Sequence, residues 1–416
     1  MTETRDNNST ARLDTDKIRA DFPILSETVY GKPLTFLDSG ASAQKPKCVI
    51  DAISGLYEKN YANIHRGMYK FSQESTDAYE AVREKVRALL NARHSHECIF
   101  VRGATEGINL VAQTWGRANL GEGDEIILTT LEHHSNIVPW QMLREEKGFT
   151  IKVVPIDDRG NIIMEDYEKL LGPKVKLVSF VHVSNAIGTI LPAKKMAAMA
   201  RAVGANVLID GCQAVPHMAV DVQDLDADFY VFSGHKLYGP TGIGVLYGRE
   251  ELLDAMPPWQ GGGDMIASVT FEETIYNELP YKFEAGTPHI AGGIGLGVAI
   301  DYVNAIGYDA IAAHEDVLLK YAHKEMRAIN SLRLIGEADQ QAGIVSFELE
   351  GIHPHDLGTI LDREGVAIRT GHHCTQPIMD RFDIPGTARA SFGIYNTIED
   401  VDRLVAGIRK AQELFG

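Results

Sequence analysis

Cys374 lies in the segment RTGHHCTQP, residues 369–377, directly after two histidines, and its thiol is the most reactive side chain of this segment. A cysteine here can ligate a metal, form a disulfide, pack as a small apolar group, or attack as a thiolate. Zinc ligands from one segment usually have intervening residues, whereas His372, His373 and Cys374 are adjacent, so the spacing argues against a metal site. No C-x-x-C pair and no obvious disulfide partner occurs, which leaves an inert buried thiol or a nucleophile.

Polar residues also follow several apolar runs that are typical of strands. They are Thr105 in RGATEG, Glu132 with His133 and His134, Ser184 with Asn185, Asp210 with Gln213, and Ser233 with His235 and Lys236. Singly these are weak signals, because an Asp after a strand is most often a cap and a lone Lys is most often a solvated surface group. Since the carboxyl ends of parallel strands meet along one edge of a sheet, we expect them to converge on one crevice.

Together these groups fit a phosphorylated aromatic cofactor. A small-residue turn before a helix suits a phosphate, a carboxylate keeps a pyridine nitrogen protonated, and Lys236 can form a Schiff base with an aldehyde. We therefore predict pyridoxal 5'-phosphate (PLP), bound as a Schiff base on Lys236. The glycine-rich stretches 242–248 and 292–297 do not match the dinucleotide pattern, so we expect their glycines to serve close packing or turns.

Short strands alternating with helices must position this crevice. The predicted strands are 98–102, 125–130, 150–156, 175–183, 206–210, 228–233 and 244–248, and predicted helices include 105–118, 136–147, 163–171 and 194–203. This pattern predicts an α/β fold with a mostly parallel seven-stranded sheet covered on both faces. A smaller α+β part follows, with strands in AGIVSFELE and TARASFGIY and a last helix capped by Thr397.

Composition narrows the class of protein further. The 416 residues carry a net charge of −17, which argues against nucleic acid or an anionic membrane as the main partner. The first residues have no apolar signal core, and no run of about 18 strongly apolar residues occurs. Cys48, Cys98 and Cys212 are scattered, and we expect them to be small, partly buried side chains rather than a disulfide framework. We therefore predict a cytoplasmic protein.

The ordered motifs resemble the class V, fold-type I PLP-dependent transferases, and within them the cysteine desulfurases of the SUF iron–sulfur cluster assembly system. The motifs run from about residue 21 to the C terminus and include RGATEGINLVAQ, LEHHSNIVPWQ, DGCQAVPH, FSGHKLYGPTGIGVLYG, KFEAGTP, RTGHHCTQP and RASFGIYNT. The resemblance implies a large PLP-binding domain at 36–304. It also implies a small α+β domain formed by 16–35 and 305–416. Residues 1–15 are polar and aperiodic, and we expect them to form a mobile tail.

The resemblance also implies roles for individual residues. Lys236 would carry the Schiff base, Asp210 would pair with the pyridinium, and His133 would stack on the ring and assist proton transfer. Thr105, Ser233 and His235 would contact the cofactor phosphate, and Asn185 and Gln213 would lie near the ring oxygen and the substrate. Arg389 would bind the substrate carboxylate. Arg369 is assigned more loosely to the active site. Thr287 would reach the phosphate of a second subunit, which implies a homodimer.

For the family's desulfurases, the substrate is L-cysteine, the product is L-alanine, and the implied nucleophile and persulfide carrier is Cys374. An ordinary thiol is only a few per cent ionised at neutral pH, so the site must help. His133 or the substrate's own thiolate can take the proton, or the adjacent histidines can supply positive charge. His372 and His373 can equally just shape the loop. The short GHHC connection implies limited reach, and hence a SufE-like or SufU-like acceptor protein for the sulfur.

Three departures from the family pattern stand out. The chain has LDSGASAQKP where relatives typically read LDNAATSQKP, Thr375 where Ala is frequent, and His289 where Asn is common. We expect them to affect substrate fit or loop mobility rather than the reaction. The alternatives on the same scaffold are a selenocysteine lyase or cysteine-sulfinate desulfinase, and an ordinary aminotransferase. A non-catalytic SUF scaffold is a further alternative, which the presence of Lys236 and Asp210 disfavours.

Overall fold

The computed structural model describes residues 13–415 of the chain. The helices are α1 (Thr15–Ala20), α2 (Lys47–Lys59), α3 (Lys70–Leu90), α4 (Ala104–Val111), α5 (Arg117–Asn119), α6 (Val138–Lys147), α7 (Met164–Leu170), α8 (Ala193–Ala202), α9 (Glu250–Ala255), α10 (Ile290–Ile306), α11 (Tyr308–Arg327), α12 (Pro354–Arg363), α13 (Gln376–Phe382) and α14 (Ile398–Phe415). Of the predicted tail at 1–15, residues 1–12 lie outside the described residues, and the domain boundaries stay a prediction.

The strands form one large sheet, one smaller sheet and three short pairs. They are β1 (Thr28–Val29), β2 (Lys32–Pro33), β3 (Thr35–Phe36), β4 (Cys98–Val101), β5 (Glu125–Thr129), β6 (Thr150–Val154), β7 (Val175–Val181), β8 (Asn206–Asp210), β9 (Phe229–Ser233), β10 (Gly244–Gly248), β11 (Ile266–Val269), β12 (Thr274–Tyr276), β13 (Leu332–Ile335), β14 (Ile344–Leu349), β15 (Val366–Ala367), β16 (Arg369–Gly371) and β17 (Thr387–Ser391).

The large sheet has the strand order β4-β10-β9-β8-β7-β5-β6. Its β10 pairs antiparallel with both neighbours, and the other pairs are parallel. Each strand coincides with one of the seven predicted apolar runs, so the predicted mostly parallel sheet is confirmed. The parallel strands end at the same edge, and this edge carries the polar residues that the sequence analysis singled out.

Both faces of the large sheet are buried, because successive side chains of a strand point to opposite sides. In β8, Val207 and Ile209 pack into one apolar cluster and Leu208 packs into another. The first cluster also contains Ile378 and Met379 of α13. The segment that directly follows Cys374 is therefore held against the large sheet.

The smaller sheet is antiparallel, in the order β13-β14-β17-β16. Helices α11, α12 and α14 cover it with side chains such as Leu318, Leu357 and Leu404. The register between β16 and β17 sets Arg369 directly opposite Arg389. The sheet thus places two cationic side chains next to each other.

The glycine-rich stretch at 292–297 lies in the first half of the buried helix α10. A Cβ on Gly293 would lie 2.5 Å from the ring of Tyr79, and a Cβ on Gly297 would lie 2.6 Å from Val82, both on α3. Contacts this short are repulsive, so α3 and α10 can approach this closely only because these positions lack a side chain. The prediction that these glycines serve close packing is confirmed.

Within residues 13–415, no single helix combines the length and the apolar character needed to cross a membrane, whereas α10 and α11 taken as a bent pair pass that test.

Candidate active site

The polar ends of the strands meet in one cavity of about 150 Å³. Most of the predicted site residues line it: Thr105, His133, Asn185, Asp210, Gln213, Ser233, His235, Lys236, Arg369 and Arg389. Cys374 lies beside this group, in contact with Arg369. Thr287 lies elsewhere, in a second cavity with Tyr79, Phe100 and Glu284.

The N-terminus of α4 forms one end of the cavity. Gly103 has a φ of 157°, and a Cβ at this position would lie 3.1 Å from Ser233 Oγ. The main-chain N–H of Ala104 donates to Ser233 Oγ at 2.9 Å, and Thr105 lines the cavity next to it. Burial and the charge of Lys236 lower the pKa of His235 to about 4, so its ring is neutral at pH 7. A helix N-terminus with a hydroxyl and a neutral ring suits a phosphate group.

The opposite end holds buried polar atoms that lack partners. Asp210 is buried at the end of β8, and its Oδ1 accepts the N–H of Cys212 at 3.0 Å. Asn185 Oδ1 and Gln213 Oε1 are buried without a hydrogen-bond partner among residues 13–415. Leaving such atoms unpaired costs about 1–3 kcal/mol each. A ring bearing an N–H and oxygen substituents would satisfy this set, so the residues fit a pyridoxal group.

Arg389 is fully buried and held on both sides. Its Nη2 donates to Asp38 Oδ1 at 2.9 Å and its Nη1 donates to the carbonyl of Asn185 at 2.7 Å, whereas its Nε is buried without a partner in the described chain. Burial lowers the pKa of Arg389 and raises the pKa of Asp38. Like charges opposite each other repel, so the Arg369–Arg389 pair favours a bound anion between strand ends.

The Cys374 loop is fixed by hydrogen bonds to the large sheet. His373 and Cys374 have φ values of 52° and 58°, which is left-handed backbone that costs energy for residues other than glycine. The carbonyl of Cys374 accepts the N–H of His134 at 2.8 Å, and the carbonyl of His373 accepts from Asn185 Nδ2 at 2.7 Å. These hydrogen bonds hold the strained turn in place, as is common at functional sites.

The contact between Cys374 and Arg369 bears on the nucleophile. Arg369 Nη2 lies 3.5 Å from Cys374 Sγ, and the cysteine is half-buried. A guanidinium N–H at this distance can donate a long hydrogen bond to the sulfur. The geometry therefore places a cationic side chain of the cavity wall beside the sulfur.

The two histidines of the loop differ in environment. His373 is buried and its Nε2 lies 2.7 Å from Thr387 Oγ1, while His372 is exposed. Burial, followed by the charges of the neighbouring arginines, lowers the pKa of His373 to about 2. His373 is therefore neutral and anchors the loop, so of the two alternatives left open by the sequence it serves shape rather than charge.

The other cysteines divide into two buried thiols and one exposed thiol. Burial raises the pKa values of Cys98 and Cys212 to about 12, and Cys212 lines the cavity near Ser233. Cys48 is exposed on α2, which corrects the expectation that it is partly buried. In the first turn of α2 the next residue, Val49, takes the buried side of the helix, and Cys48 faces outward.

Sequence reasoning missed the part that Asp38 plays and left Glu132, one of its strand-end residues, without a role. Asp38 holds Arg389, as described above. Glu132 is completely buried, and its carboxyl group accepts from Thr129 Oγ1 and Asn136 Nδ2, each at 2.6 Å. An acidic residue directly before two histidines at a strand end was the available signal for Glu132. Its burial was not visible in the sequence.

Comparison with known proteins supports this assignment of the fold. The model of the family described as aminotransferase class V matches residues 35–404. A cysteine desulfurase of Synechococcus elongatus is 54% identical over 96% of this chain, which spans 64% of that relative's length. One from Enterobacter sp. is 52% identical over 96% of this chain and 99% of its own. The crystal structure of the cysteine desulfurase CsdA from Escherichia coli is similar, with a TM-score of 0.91 and 38% identity over 97% of this chain and 100% of that one.

Proposed function

The chain belongs to the class V aminotransferase family and has its fold-type I architecture, and from this premise we propose that it is a cysteine desulfurase. It takes the sulfur of L-cysteine as a persulfide on Cys374 and releases L-alanine. One observation carries the proposal: Lys236 and Asp210 share a cavity with Arg369, and Arg369 Nη2 lies 3.5 Å from Cys374 Sγ. The relatives named cysteine desulfurase support it.

The family is PLP-dependent, and the cavity fits that cofactor. Lys236 would hold it covalently, Asp210 would face the pyridine nitrogen, and the start of α4 would hold the phosphate. When bound, PLP supplies an electron sink that weakens the bond between the β-carbon and the sulfur of cysteine.

The chain's own residues then bind and position the reacting groups. Arg389 binds the substrate carboxylate through its free Nε, while Asp38 and the Asn185 carbonyl keep the guanidinium in place. Arg369 lies against Cys374 Sγ, and the Cys374 thiolate attacks the substrate sulfur. The new S–S bond forms as the C–S bond breaks, and a proton takes the place of sulfur on the carbon to give alanine.

Alanine and sulfide release from L-cysteine tests the proposal. The measurement is made with and without a thiol reductant, on wild type, Cys374→Ala and the matched control Cys48→Ala, which changes the exposed thiol on α2. We expect alanine from wild type and control, reductant-dependent sulfide, and almost no product from Cys374→Ala. Full activity of Cys374→Ala on cysteine would refute the nucleophile assignment, and activity confined to selenocysteine or cysteine sulfinate would favour the alternative activities.

We further propose that the enzyme supplies sulfur for iron–sulfur clusters in a SUF-type system, through a SufE-like or SufU-like acceptor. The support is the fixed loop: Cys374 is half-buried, His134 bonds its carbonyl and Asn185 bonds the carbonyl of His373, so an acceptor has to reach the thiol from outside. Titration with a small purified acceptor of this kind should accelerate alanine release without reductant. An unchanged rate with both acceptor types would contradict this part.

A homodimer and a cytoplasmic location complete the proposal. The homodimer is supported by the position of Thr287 in a cavity away from Lys236 and by fully exposed apolar side chains such as Met68 and Phe271. Light scattering should give twice the mass of one chain, and Thr287→Ala should weaken cofactor retention. The acidic surface and the absence of disulfides among the described cysteines support the location, which cell fractionation tests.

A further inference from the structure

The ring of His133 is held at one nitrogen by the residue two positions later. The main-chain N–H of Ser135 donates to His133 Nδ1 at 3.1 Å, and Ser135 Oγ lies 2.9 Å from the same nitrogen. A main-chain N–H can only donate, so Nδ1 must present its lone pair. The Ser135 hydroxyl then donates to the same atom.

A neutral imidazole with an unprotonated Nδ1 carries its proton on Nε2. The ring is neutral at pH 7, because burial and the nearby charge of Lys236 lower the pKa of His133 to about 4. The neighbouring His134 shows the opposite arrangement, since the N–H of Gln376 donates to its Nε2 at 3.1 Å. The two adjacent histidines are therefore fixed in different tautomers by different main-chain donors.

We propose that Ser135 fixes His133 as the Nε2–H tautomer, so that the free edge of the ring donates a hydrogen bond to cofactor or substrate and does not accept a proton there. This inference rests on the proposed function and deepens it. Ser135 acts as a positioning residue through its main chain. Of the proton acceptors that the sequence left open for Cys374, His133 Nε2 is thereby removed.

Nitrogen NMR of the PLP-loaded enzyme, labelled with ¹⁵N-histidine, tests the tautomer directly. The His133 signals are identified by their loss in His133→Gln. We expect a pyridine-like shift for Nδ1 and a pyrrole-like shift for Nε2, and the same pattern in Ser135→Ala, which keeps the main-chain donor. The reverse pattern in the loaded enzyme would overturn the proposal, whether or not the protein desulfurates cysteine.

A pair of amide substitutions provides a functional readout. The side-chain N–H of Gln can occupy the place of Nε2–H, whereas that of Asn is one methylene shorter. General base catalysis contributes about 10²- to 10⁴-fold, so a lost base would reduce kcat by that factor in both variants. If the ring acts as a donor, the Gln side chain can replace it, so kcat should fall by less than about tenfold in His133→Gln. In His133→Asn, kcat should fall clearly more. Equal losses of a hundredfold or more would refute the donor role.

Discussion

Replacing Arg369 by Met should slow the reaction of Cys374 with an alkylating agent. Methionine keeps most of the apolar stem but removes the cation that lies 3.5 Å from Sγ. The sulfur attacks as an anion, and a unit positive charge about 4 Å from it contributes roughly 1 kcal/mol in a water-like environment and roughly 4 kcal/mol in a less polar one. Because Cys374 is half-exposed, the lower figure applies. A loss of about 1 kcal/mol corresponds to an about fivefold slower reaction.

The assay is iodoacetamide labelling at pH 7, followed by mass spectrometry of the individual peptides. Exposed Cys48 serves as an internal reference, because its labelling rate should be unaffected. Arg333→Met is the matched control, since Arg333 is an exposed arginine of the same small sheet and pairs with Glu348 at 3.0 Å. We expect about fivefold slower labelling of Cys374 only in Arg369→Met. A rate within about twofold of wild type would refute the assigned role of this guanidinium.

Three further substitutions test the supporting structure. Asp38→Asn removes the charged partner of buried Arg389 and should lower the free energy of unfolding by about 3 kcal/mol. The melting temperature should fall and the KM for cysteine should rise. If both values are unchanged, the Asp38–Arg389 ion pair does not support the site. Burial raises the pKa of Glu132 from 4.5 to about 8, so the folded protein holds this proton more tightly than the unfolded chain and wild-type stability falls as pH rises through this range. Glu132→Gln should remove that part of the slope between about pH 5 and about pH 9, and equal slopes in both proteins would contradict it. Gly297→Ala should destabilise by about 1–3 kcal/mol through overpacking, whereas Gly172→Ala, with open space around it, should melt like wild type.

The large sheet was predictable because its strands are buried on both faces. Such strands give short continuous apolar runs, and all seven were found in the sequence at nearly their final bounds. The convergence of Asp210 and Lys236 followed from the rule that parallel strands end at one edge. These features depend on local pattern and topology, which a single sequence contains.

Other parts of the site depend on pairing that leaves no local pattern. Strand β16 consists of three residues, RTG, without apolar alternation, and it exists because β17 pairs with it. Asp38 reaches Arg389 through a bridge between Asp38 and Ser391, which are far apart in sequence. The neutral state of His373 depends on its burial, which follows from tertiary packing. None of these can be read from residue types and spacing alone.

The burial of Cys212 has a consequence for the movement of sulfur. A persulfide exchanges with any thiolate that it can reach, and thiols that stay protonated do not exchange. Cys212 lies on the wall of the same cavity, yet its pKa of about 12 keeps it protonated. Under the proposed function, Cys212 therefore does not compete for a sulfur atom on Cys374, and that sulfur stays available to an acceptor that approaches from solvent.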